Sequence, residues 1–80
     1  MTRLYYFVGG PLPGTAEEFF RRLSAAGGPP QGWSIYPHAS HDGNALHVVE
    51  AASVDEISAH LGQFADIYQH GPIVEIARRT

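Results

Sequence analysis

Histidine and tyrosine are the side chains of this chain best suited to chemistry near neutral pH, and it carries five of the first and four of the second. Their spacing is most informative around Asp42-Gly43, which separates two β-rich runs, Trp33 to Ser40 and Ala45 to Ala51. Asp-Gly between such runs predicts a two-residue hairpin loop. Counting outward from that loop sets His41 opposite Asn44, His38 opposite His47 and Tyr36 opposite Val49. Directly opposed residues have Cβ atoms about 4.5–5.5 Å apart, so the two imidazoles would stand side by side on one sheet face with Tyr36. Ile35, Pro37, Leu46 and Val48 would form the other, more aliphatic face. Paired neutral imidazoles can bind nickel, zinc or copper, and a histidine beside a tyrosine can move protons on or off a phenolic or enolic ligand. His38, His47 and Tyr36 are therefore the candidate catalytic residues. A metal set stays unknown, because His41, Asp42 and Glu50 offer further ligands without any one being selected. The plainer alternative is a solvated or dimer-facing histidine pair, and a one-residue slip would send the two rings to opposite faces.

The elements that must carry these residues follow from periodicity and punctuation. Leu4 to Val8 is a continuous apolar and aromatic run, read as a strand covered on both faces, and it ends at Gly9-Gly10-Pro11. Thr15-Ala16-Glu17-Glu18 predicts a capping box, then a helix with Ala16, Phe19, Phe20, Leu23 and Ala26 at helical spacing, stopped by Gly27-Gly28-Pro29-Pro30. Ser53-Val54-Asp55-Glu56 predicts a second box, and Ile57, Leu61, Phe64 and Tyr68 share one face of a helix ending at His70-Gly71-Pro72. Ile73 to Ala77 reads as a last strand. The order strand, helix, strand, strand, helix, strand predicts an α+β, ferredoxin-like βαββαβ sandwich: a four-stranded antiparallel sheet with two helices on one face. Its second strand lies at a sheet edge, where Pro37 can lack an amide donor.

Composition sets further bounds. The chain has 80 residues, enough for one domain with a small core. It has no cysteine, and all five of its basic side chains are arginines. Disulfides, thiolate metal sites, thiol nucleophiles, lysine Schiff bases and a P-loop lysine are excluded. A net charge of −3 with two separated arginine pairs argues against nucleic acid as a partner. No apolar run is long enough for a membrane span or a signal-peptide core, and a cytoplasmic protein is expected. Arginine in place of lysine, with much alanine and glycine, suggests a bacterial source. Gly9-Gly10-Pro11-Leu12-Pro13-Gly14 precedes a helix, but its prolines remove amide donors and it reads as a rigid connection. Two helices cover only one sheet face, whereas both faces of the first strand are apolar, so the other face is expected to meet a second copy.

The element order, Pro30-Gln31-Gly32-Trp33 leading into a strand, Asp42-Gly43, Leu46 to Glu50 and the following helix together resemble the dimeric α/β-barrel superfamily, especially its small bacterial families. That superfamily includes cofactor-free monooxygenases, isomerases, polyketide cyclases, haem-degrading enzymes and nickel-binding proteins. The resemblance implies a homodimer holding a small molecule, with no cofactor and without choosing a reaction. Three functions stay open. One is a cofactor-free isomerase, cyclase or monooxygenase acting on an aromatic or polyketide-like ligand. The others are a divalent-metal protein using the histidine pair, and a non-catalytic interaction module. Tyr6, Trp33, His60 and Tyr68 are the candidate ligand-binding residues, because each joins an apolar body to a polar tip that wants a partner. Each is also suited to plain core or boundary packing.

Overall fold

The structure is a computed structural model and describes residues 2–36 and 44–76. Its elements are β1 (Arg3–Pro11), α1 (Ala16–Ala25), β2 (Trp33–Tyr36), β3 (Ala45–Ala51), α2 (Val54–Gly62), β4 (Tyr68–His70) and β5 (Val74–Glu75). The strands form one antiparallel sheet in the order β2-β3-β1-β4, with β5 also paired to β1. The architecture is α+β, and the second strand lies at an edge as the sequence suggests. Pro37 lies outside the described residues.

Strand alternation sorts the side chains of β1 onto two surfaces. Tyr5 and Phe7 point to the helices and are buried with Val49 of β3, Phe19 of α1 and Ile57 and Leu61 of α2. Burying each such side chain stabilises the fold by about 1.5–3 kcal/mol. Leu4, Tyr6 and Val8 point the other way, beside Leu46 and Val48 of β3. Tyr6, Val8, Tyr36 and Val74 keep much of their surface in water there. The unbroken apolar run of β1 thus serves two faces, one covered by helices and one bare.

Both helices begin where expected, but neither uses its predicted capping box. Thr15 has ψ 4°, outside the extended region that aims a capping hydroxyl at the helix amides. Its hydroxyl lies 2.7 Å from the Leu12 carbonyl and 3.0 Å from that of Ile67. Glu18 pairs with Arg21 and Arg22 instead. At α2 the Glu56 carboxylate accepts from the amide of Ala52 at 2.6 Å, one residue upstream of the reciprocal bond expected at Ser53.

The second helix is shorter than its apolar periodicity implies. It ends at Gly62, and successive amide-to-carbonyl bonds from Phe64 to Leu61 and from Ile67 to Phe64 wind the chain through tight turns. Phe64 still reaches the core, but Tyr68 belongs to a strand rather than to the helix. Glycine's poor helix propensity at residue 62 is the local reason the helix stops there. The last strand is then split. Gly9 pairs with His70, whereas Tyr6 pairs with Val74, so two residues of β1 face three between β4 and β5. That extra residue is a β-bulge, and Pro72 falls inside it, where no ladder donor is needed.

The β2–β3 register also departs from expectation. Trp33 pairs with Val49, Ile35 with His47 and Tyr36 with Leu46. His47 therefore has Ile35 as its cross-strand partner, not His38, and Tyr36 lies on the opposite face from His47. An odd shift of three residues swaps the faces of β2, bringing Trp33 and Ile35 to the helix side in place of Ser34 and Tyr36. Larger apolar area on the covered face favours this register. Gly32 locks it: its carbonyl accepts from the Glu50 amide at 3.0 Å, its φ is +91°, and a Cβ there would lie 3.0 Å from the Glu50 carbonyl oxygen. The Asp42-Gly43 turn, His38 and His41 lie outside the described residues.

Gly9 is the tightest point of the sheet. A Cβ on it would meet the Tyr68 hydroxyl and the His70 Cβ at 2.8 Å and the Gln69 carbonyl at 2.9 Å. Gly9→Ala is expected to push β4 away from β1 and lower unfolding free energy by about 1–3 kcal/mol, measured by chemical denaturation, whereas Gly62→Ala, with open space around it, should be neutral or stabilising.

Candidate functional site

Small residues at one end of the sheet create a cavity. Gly9 of β1 pairs with Ala45 of β3, so the covered face carries almost no side chain at that point, whereas the next pairs along, Phe7 with His47 and Tyr5 with Val49, are filled. Above this bare patch α1 contributes Phe19, Phe20 and Leu23, and the end of α2 and its turn contribute His60, Leu61 and Phe64. The space, partly open to solvent, is about 430 Å³, within the range of small-molecule sites. Phe20 and Ile35 line it yet remain exposed, which puts them at its rim. Among the described residues no Asp, Glu or Arg lines it.

The polar atoms of the cavity converge from three elements. His47 on β3 is buried and stacks on Phe7, with ring centroids 4.5 Å apart and planes 7° from parallel. Its Nδ1 lies 2.9 Å from the Ala45 carbonyl and its Nε2 lies 3.4 Å from the Tyr68 hydroxyl. A carbonyl can only accept, so Nδ1 carries the proton and, in the neutral ring, Nε2 is left to accept from Tyr68. Burial lowers the His47 pKa, partly opposed by the bond to Ala45. Burial also pushes the Tyr68 hydroxyl up to about 12. Both groups are thus held neutral near pH 7. Tyr68 also packs on Phe19, at a centroid distance of 5.1 Å. His60, with its pKa lowered by burial, packs edge-on against Trp33 at 5.0 Å and against Phe64 at 5.7 Å. Asn44, just before β3, lines the cavity, and its buried Oδ1 has no partner among the described residues.

Four of the expected residues therefore meet at one cavity: His47, Trp33, His60 and Tyr68. Tyr6 does not join them. It stands on the bare sheet face, 40% exposed, because it alternates with the inward-facing Tyr5 and Phe7. Tyr36 lies on that face too, 52% exposed. The partner of His47 is Tyr68, hidden from sequence reading by its assignment to a helix. Gly9, Ala45 and Asn44 were also missed, and the absence of side chains at the Gly9–Ala45 pair shows only once the register is known. Among the described residues no three of His, Asp and Glu gather as a metal-ligand group. No helix among them is long and apolar enough to cross a membrane. Comparison with family models, curated proteins and solved structures gave no match.

The lowered His47 pKa carries a stability signature. The unfolded chain takes up a proton near pH 6.5 that the folded ring refuses, so stability is complete above that pH and is lost as pH falls below it. His60, its pKa also lowered by burial, contributes with the same sign. Glu18, held below the usual carboxylate range by Arg21 and Arg22, and Asp66, held down by Arg22, act only at more acidic pH, below about 4.5 and 3.8. Thermal melts from pH 7.5 to 5 should show a falling Tm, with a free-energy slope no steeper than about 1.4 kcal/mol per pH unit per proton. His47→Phe should flatten that slope.

Proposed function

We propose that this domain binds a small, uncharged, predominantly aromatic molecule in the cavity between its sheet and helices. The observation that carries this reading is an apolar space of about 430 Å³ whose wall holds a neutral His47–Tyr68 pair. A protein interior normally fills such space with side chains, and here the bare Gly9–Ala45 pair keeps it open. Among the described residues no charged side chain lines the space, which favours an uncharged ligand, because a charged one would lose its hydration without a partner there. The aromatic side chains Phe19, Phe20, Trp33 and Phe64 suit a flat ring.

Proton transfer is the second reading, favoured by the same pair. A neutral imidazole beside a tyrosine hydroxyl is equipped to move a proton on or off an enolic or phenolic ligand, as an isomerase or cyclase requires. On this reading His47 and Tyr68 take the roles expected of His47 with His38 and Tyr36.

The strand order and the two helices support a ferredoxin-like fold of the dimeric α/β-barrel kind, and the bare face supports dimerisation through the sheet. Leu4, Tyr6, Val8, Leu46, Val48 and Tyr36 form an apolar surface of the sort that marks an interaction site. Sedimentation equilibrium should give a dimer, and Val8→Glu should give a monomer with an unchanged circular dichroism spectrum. A wild-type monomer at all accessible concentrations would remove this part of the reading.

Trp33 is the chain's sole tryptophan and lines the cavity, so it reports on occupancy directly. Titration with small neutral phenols and naphthols should change its fluorescence saturably, and Ala45→Leu, which fills the cavity floor, should weaken binding at least about tenfold. No saturable change with any of these compounds would sink the proposal.

A further inference from the structure

The hydrogen bonds in the cavity run in one direction, and that direction constrains what can be bound. The Ala45 carbonyl accepts from Nδ1–H of His47, leaving Nε2 as a lone pair. The Tyr68 hydroxyl has one proton, and the Nε2 lone pair is its partner at 3.4 Å. What Tyr68 then has left for a ligand is oxygen lone pairs. Its hydroxyl stands 2.8 Å from where a Cβ on Gly9 would be, so it borders the bare floor of the cavity. The Tyr68 oxygen is therefore an acceptor at this end of the cavity, while His60 stands against Trp33 and Phe64 instead.

We infer that the Tyr68 end of the cavity is a hydrogen-bond acceptor site, selecting ligands that present a hydroxyl donor, of the phenol or enol class, over ethers and ketones. The inference rests on the cavity being a ligand site. A donor ligand would extend the relay from its own hydroxyl through Tyr68 and His47 to the Ala45 carbonyl, with each group donating to the next. An acceptor-only ligand would meet lone pairs and leave them unpaired, and a site built to pair with a hydroxyl discriminates strongly against an analogue that lacks one.

Equilibrium dialysis at pH 7.5 with 1-naphthol, 1-methoxynaphthalene and naphthalene tests this on the whole chain. Wild type should bind 1-naphthol about tenfold or more tightly than either of the others, although naphthalene adds no bulk and is the more apolar. In His47→Phe the Tyr68 proton has lost its acceptor and becomes free to donate, so the preference should shrink or reverse in favour of 1-methoxynaphthalene. A variant with lost packing alone would weaken all three together. Equal wild-type binding of all three would overturn the inference while leaving the cavity a binding site, whereas binding of none would take down both. If His47→Phe fails to fold, the wild-type comparison decides the question unaided.

Discussion

The close approach of the fourth strand to β1 at Gly9 is the constraint on which the other features depend. With no Cβ at that position, the Gln69 carbonyl and the Tyr68 hydroxyl come within 3 Å of where one would lie. Two consequences follow from the one missing methyl group. The sheet gains its fourth strand with Tyr68 turned toward the helices, and the floor beneath that tyrosine is left empty because Gly9 faces only Ala45. Packing and vacancy thus have a common origin, and neither could be changed without disturbing the other.

Around this point the helices, packed on the sheet through the core, are also anchored from outside. The Arg22 guanidinium holds the Asp66 carboxylate through two bonds of 3.0 Å, tying α1 to the turn after α2. The Leu12 amide bonds to the Ile67 carbonyl at 2.8 Å, tying the start of the first connection to the same turn. The ion pair is solvated, and such pairs add little to stability. Phe19 then bridges the layers, touching both Phe64 and Tyr68.

The α+β class and the order of the first five elements were legible in the sequence because they rest on local signals: the apolar run at Leu4 to Val8, the glycine and proline stops after Ala26, and the apolar period of each helix. What was not legible depended on choices between near-equal local options. The β2 register turned on whether Trp33 or Tyr36 faces the core, and periodicity alone does not weigh a tryptophan against a tyrosine on an edge strand. Tyr68 continued the helical period of Ile57, Leu61 and Phe64, yet Gly62 ended the helix first. Of the site, the individual residues Trp33, His47, His60 and Tyr68 were readable from their chemistry, while the His47–Tyr68 pairing was not. It joins strands that are neighbours only through β1, a relation that exists in three dimensions and leaves no spacing signature.

The bulge between β4 and β5 bears on how such a protein can change over time. In an unbroken strand alternate residues are committed to alternate faces, so any slip or insertion rewrites both surfaces together. One extra residue near Pro72 resets that alternation, placing Tyr68 with the covered face and Val74 with the bare one. The two halves of this strand therefore belong to separate mutational neighbourhoods. Drift at residue 74 can remodel the outer surface while Tyr68 keeps its place in the wall of the cavity.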